Sequence, residues 1–208
     1  MAKTPGSDPG DVRPGDVIPG DAGPGRVGPG PGPGTGDGRV VDARIVYWGV
    51  EGAGTSTNLQ VIHAKLRPDH RGRLEQIPTR LDPTVTYDRL PIELGEIAGI
   101  RTRIQIVAVA GGPEQAPTRK GLLDRVDGIV FVVDARRDRI DENVAALDEL
   151  RSALAAYGRS LEQVPLVVQY NRQDLPDAFA LEELHRKLDA RGAAAFEAVA
   201  PEGAGVLQ

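Results

Sequence analysis

Residues 47–60 read YWGVEGAGTSTNLQ and follow the run Arg44-Ile45-Val46. A short strand, a glycine-rich turn, hydroxyl residues and the start of a helix form the outline of a phosphate-binding loop. In such a loop the glycines let backbone N–H groups converge on phosphate oxygens, and the following helix turns its positive end to the same charge. Gly49 and Gly54 have four residues between them, and Gly52 lies within the turn. The residues expected on phosphate are Gly49, Gly52, Gly54, Thr55, Ser56 and Thr57. Ser56 occupies the place from which a hydroxyl ligates magnesium. Lysine ordinarily precedes that hydroxyl; here the position holds Thr55.

A second turn, Asn171-Arg172-Gln173-Asp174, follows the run PLVVQY. An Asn-x-x-Asp turn at a strand end can read guanine. The Asp174 carboxylate accepts from the ring N–H and the exocyclic amine, Asn171 closes the pocket from the side, and the flat guanidinium of Arg172 can stack over the base. Alone, the pattern is ordinary turn chemistry. Its weight comes from ending the fifth strand of a chain whose first strand ends in a glycine loop.

The elements that must position these turns are legible from periodicity. VVDARIVYWG reads as a strand and TSTNLQVIHAKL as a helix. PTVTYDRLPIEL and RTRIQIVAVAG alternate as two strands joined around residues 95–99. DGIVFVVDA and PLVVQYN are compact apolar runs suited to strands buried on both faces. A helix is expected from Asp141 to the Gly158 stop, another over LEELHRKLDA, and a last strand over AAAFEAVA. The pattern predicts an α/β fold: a doubly wound, mostly parallel sheet with one antiparallel edge strand. Ligands in such sheets bind beyond the carboxyl ends of the strands, where both turns fall.

Bulk properties narrow the function. The 208 residues suit one domain over 39–208, preceded by a tail in which 12 glycines and 8 prolines fill 20 of 38 positions. Residues 1–38 are expected to be disordered, as a spacer or as sequence without a role. No apolar run approaches a membrane span and no signal peptide opens the chain. The absence of cysteine rules out disulfides and thiolate metal sites and suits a cytoplasmic protein. A net charge of −5 argues against a nucleic-acid partner. His63, His70 and His185 lack metal-ligand spacing.

Read together, RIVYWG and TNLQVI around the loop, LPIELGEI, VDGIVFVVDA, QYNRQDLP and FEAVAPEGAGV resemble the MglA-type small GTPases of bacterial gliding motility and cell polarity. The resemblance runs from Arg44 to Val206. It implies a Ras-like P-loop fold, a GTP/GDP switch with Mg2+, and a roadblock-type (MglB-like) regulatory partner that stimulates hydrolysis. It also implies that Ala198, Val199 and Ala200 contribute backbone to the guanine pocket. A Ras-like domain packs a C-terminal helix across its sheet, and this sequence reaches Gln208 where that helix would begin. One apolar sheet face is therefore expected to be uncovered.

The departures from that family gather at the γ-phosphate. Thr55 removes a cation that bridges the β- and γ-phosphates. The segment VAVAGG resembles the second switch, and Gly112 stands where the family has its catalytic glutamine. In the first switch Pro83-Thr84 replaces Arg-Thr, so Thr84 can still ligate magnesium while Pro83 carries no charge. Arg80, Arg89, Arg101, Arg103, Arg119 and Lys120 are the cations that could fold back to the loop, and Gln115 lies near Gly112. An arginine finger is worth on the order of 10³ to 10⁵ in rate, so hydrolysis is expected to be weak or lost. Loss of the lysine moves a nanomolar site toward micromolar. Two functions follow: a guanine-nucleotide-binding switch or regulator, or a pseudo-GTPase scaffold that binds no nucleotide. No residue is assigned to catalysis.

Overall fold

The computed structural model describes residues 39–79, 82–190 and 192–208. The tail expected over 1–38, and Arg80, lie outside the described residues. Seven strands form one sheet: β1 (Val40–Gly49), β2 (Glu75–Pro78), β3 (Thr86–Ile97), β4 (Ile100–Ala108), β5 (Gly128–Asp134), β6 (Leu166–Asn171) and β7 (Ala194–Ala198). Their order is β2-β3-β4-β1-β5-β6-β7. From β4 to β7 all neighbours are parallel, as strands joined by crossover helices must be, and β3 runs antiparallel to β4. The β3–β4 hairpin turns through Ala98 and Gly99, both at positive φ. Gly95, also at positive φ, marks a register shift within β3. The short strand β2 adds outside β3; its four residues carry too little pattern to announce it.

Among the described residues four α-helices pack on the sheet: α1 (Thr55–Lys65), α2 (Ala116–Leu122), α3 (Ile140–Ala155) and α4 (Leu181–Leu188). Helix α3 begins one residue before Asp141, after a 3₁₀ turn at Arg137–Arg139. Helix α2 went unforeseen, because seven residues containing Pro117 and Gly121 show no helical periodicity.

The two sheet faces differ. Beneath α2, α3 and α4 lie Val46, Trp48, Phe131, Val133, Val168 and Tyr170, all fully buried. Trp48 donates its indole N–H to the Ala146 carbonyl of α3 at 3.0 Å, fixing it as core under the loop. The opposite face is covered by α1 and the C-terminal segment. There Ile45, Ile104, Val130, Val167 and Phe196 are half-buried. After β7 a 3₁₀ turn (Ala200–Glu202) packs on α1, with Lys65 Nζ donating to the Gly203 carbonyl at 2.8 Å. No α-helix follows β7 among the described residues, yet the sheet face opposite α2–α4, expected to be uncovered, is half-buried because α1 and the C-terminal segment lie over it.

Candidate functional site

The loop between β1 and α1 is held open by close packing rather than by its own length. A Cβ on Gly49 would come 2.3 Å from the Val132 carbonyl oxygen of β5. At Gly54 it would come 2.4 Å from Asn171 Nδ2, and φ there is +101°. Only glycine fits either place, so both glycines that define the motif are required by the strands behind them. Gly52, at φ +75°, completes the turn. The carbonyls of Glu51, Gly52 and Ala53 each meet a donor from another element. Arg139 donates to Glu51 O at 2.9 Å, Arg172 to Gly52 O at 2.7 Å and Asn171 Nδ2 to Ala53 O at 2.8 Å. So braced, the loop borders a cavity of about 380 Å³.

That cavity is lined by Gly52, Gly54, Thr55, Ser56, Thr57 and Ala110 at one end, and by Asn171, Arg172, Asp174, Leu175 and Pro201 at the other. The start of α1 and the Asn-x-x-Asp turn therefore face one space, although more than a hundred residues separate them. Asn171 is buried and serves as the bracket: its Oδ1 accepts from Ala200 N–H at 2.9 Å while its Nδ2 holds the loop. Arg172 adopts φ +68°, unusual for a side-chain-bearing residue, and its Nε lies 3.3 Å from the fully buried Asp134 carboxylate. Arg136 pairs with the same carboxylate at 2.8 Å. Asp174 is exposed at the cavity edge. Ala198, Val199 and Ala200 do not line the cavity. Ala198 O accepts from Gln173 N–H at 3.2 Å and Ala200 N–H is taken by Asn171, so this segment braces the turn from behind while Pro201 lines the space.

At the phosphate end several sequence expectations diverge from the geometry. Thr84 is exposed and does not join Ser56 at the cavity. Its hydroxyl and N–H both donate to Asp82 Oδ1, at 2.7 and 2.9 Å, closing a local turn and holding the Asp82 carboxyl below its usual pKa. Ala108, at the end of β4, offers no carboxylate. Among the described residues no cluster of His, Cys, Asp or Glu could hold a metal. The donors thus do not make a protein-held magnesium site; Ser56 alone would meet an ion carried in by phosphates.

Among the described residues none of the candidate replacement cations lines the cavity. Arg89 pairs with Glu75 at 2.7 Å and Arg103 with Asp42 at 2.6 Å. Arg101 stands opposite Val40, at the far end of the sheet. Arg119 is 3% exposed and lies over the Trp48 ring at 5.4 Å. It donates to Ala110 O at 2.9 Å, to Gly112 O at 2.8 Å, and to both Glu149 oxygens at 2.6 Å. Gln115 lines no part of the cavity. The roles of Arg119 and Arg139 were not foreseeable from spacing, since each acts on a backbone carbonyl rather than in a motif. The residues present suit a nucleotide, since the glycine loop, the hydroxyls of Thr55, Ser56 and Thr57 and the Asp174 carboxylate border one cavity.

Comparison with known proteins is consistent with this geometry. The sequence model of the ADP-ribosylation factor family matches residues 37–197. The mutual gliding-motility protein MglA of Myxococcus xanthus is 40% identical over 169 residues, covering 81% of this chain and 87% of the relative. ADP-ribosylation factor-like protein 4D of Homo sapiens is 29% identical over 152 residues, 73% of this chain and 68% of that protein. The structure of the Arl6 BBS3 small GTPase from Trypanosoma brucei with bound nucleotide analogue GppNp shares the fold, with a TM-score of 0.54 at 18% identity over 80% of this chain and 91% of that one.

Proposed function

The chain belongs to the ADP-ribosylation factor family as an MglA-type small Ras-like GTPase, and from that premise we infer that it binds a guanine nucleotide and acts as a regulator with hydrolysis weak or lost. The observation that carries the reading is the shared cavity, with the Gly52–Thr57 loop at one end and Asp174 at the other. Backbone amides and the positive end of α1 receive the phosphates, and Asp174 reads the base. Neither task uses the missing lysine. Hydrolysis does need what is absent: Gly112 cannot orient a water, and Pro83 cannot stabilise the charge that develops on the transferring phosphoryl group. Partners of the roadblock type and a cytoplasmic location follow from the family as further parts of this proposal, and co-purification tests the first.

Titration of the purified chain with a fluorescent GDP analogue is expected to give micromolar binding. Asp174→Ala removes a charged acceptor at an exposed position, so affinity should fall roughly ten- to a hundredfold with an unchanged melting temperature. Absence of binding at high micromolar nucleotide would leave the chain as a scaffold that uses the fold without the ligand.

A further inference from the structure

The second-switch segment lies against the phosphate loop more closely than any side chain would allow. A Cβ on Gly111 would come 2.2 Å from Glu51 N, 2.4 Å from Val50 C and 2.6 Å from Gly49 O. The front of the loop over residues 49–51 is thus covered by backbone, and the cavity is bordered by Ala110 but not by Gly111 or residues 49–51. This segment is also fastened. Arg119 holds the carbonyls on either side of Gly111, those of Ala110 and Gly112, and is itself fixed by Glu149 and the Trp48 ring. Arg139 holds the other surface of the contact through Glu51 O. In switch GTPases the second switch is the segment that the γ-phosphate orders, so a third phosphate extends toward it. Here that ground is occupied. Glu51, whose N–H is covered, also carries an exposed carboxylate that repels a phosphate of like charge. Gly52, Gly54 and the first turn of α1, Thr55–Thr57, line the cavity that is left for two phosphates.

We propose that this site takes guanosine diphosphate and excludes the triphosphate, because Arg119 clamps Gly111 over the place the third phosphate needs. The inference rests on the guanine-nucleotide reading above and narrows its ligand. The triphosphate binds when the clamp opens, and if the open form is below about a tenth of the population its apparent affinity falls more than tenfold. Glu149 lies on α3, away from the cavity, so Glu149→Ala loosens Arg119 without touching the nucleotide.

Isothermal calorimetry on the full chain with GDP and GTP tests this. GDP should bind more than about tenfold tighter than GTP. In Glu149→Ala the GDP affinity should hold while the ratio shrinks toward one. Equal affinities for the two nucleotides in the unaltered chain overturn the selectivity and leave the nucleotide reading standing. A ratio unmoved in a Glu149→Ala protein that still binds GDP overturns the clamp as its cause. Failure of both nucleotides to bind up to millimolar concentration removes the underlying reading as well. If the variant fails to fold, the ratio in the unaltered chain decides by itself.

Discussion

The two ends of the cavity have been treated differently. At the proposed base end, Asn171, Arg172 and Asp174 line the cavity, and Asn171 is tied on both sides to buried backbone. At the outer phosphate end, the lysine position holds Thr55, Gly112 replaces a glutamine, Thr84 is turned into its own loop, and Gly111 is packed on Glu51. The contrast separates two functions that usually travel together. Holding a nucleotide draws on backbone and packing shared with the fold, whereas acting on its third phosphate draws on a few protruding side chains. Those side chains can be lost without disturbing the core; the bracket cannot.

Breaking the bracket should have the largest effect. Asn171→Ala leaves Ala53 O and Ala200 N–H without their partners in a buried setting, at a cost of about 2 to 4 kcal/mol in stability together with loss of nucleotide binding. Chemical denaturation measures the first and the fluorescent nucleotide the second. An unchanged unfolding midpoint would show that the two ends are not mechanically joined.

Restoring the other end should have a smaller effect. Thr55 borders the cavity, so Thr55→Lys extends an ammonium into it. Diphosphate affinity should rise by about 1 to 2 kcal/mol, read as a five- to thirtyfold lower Kd. Phosphate release from GTP should stay at background in that variant, since neither Gly112 nor Pro83 has been replaced. Turnover there would mean that the lost lysine alone had silenced the site.

The smallest effect concerns alkaline pH and touches both ends. Tyr47 lies under the phosphate loop, and burial pushes its hydroxyl pKa up to about 12; burial also raises that of Tyr170, under the base turn. The unfolded chain releases these protons near the ordinary tyrosine pKa of about 10, before the folded chain does. Stability from this source is therefore complete below about pH 10 and is lost as pH rises through about 12. Denaturant midpoints should be flat from neutral pH to about 10 and then decline. A decline that begins near neutrality would place the alkaline weakness elsewhere.

Periodicity was enough to place the strands and helices that carry the two turns, because alternation and the helical repeat are local properties. The glycine spacing and the Asn-x-x-Asp pattern likewise located both ends of the cavity. Helix α2 and strand β2 escaped because each is too short to complete a pattern. The places of Thr84 and of residues 198–200 escaped for another reason: a hydroxyl or an amide has several partners within reach, and the chain's path selects one.

By itself, then, the sequence determined an alternating α/β sheet, a glycine loop without its lysine, and a turn suited to guanine. Only the tertiary structure decided that Asn171 reaches across 118 residues to hold Ala53, that Arg119 folds inward onto Trp48 and Gly111's neighbours, and that Ala110 borders the cavity while Gly111 does not. Contacts of that range depend on how strands stack side by side, and no spacing along the chain records which carbonyl a guanidinium will find.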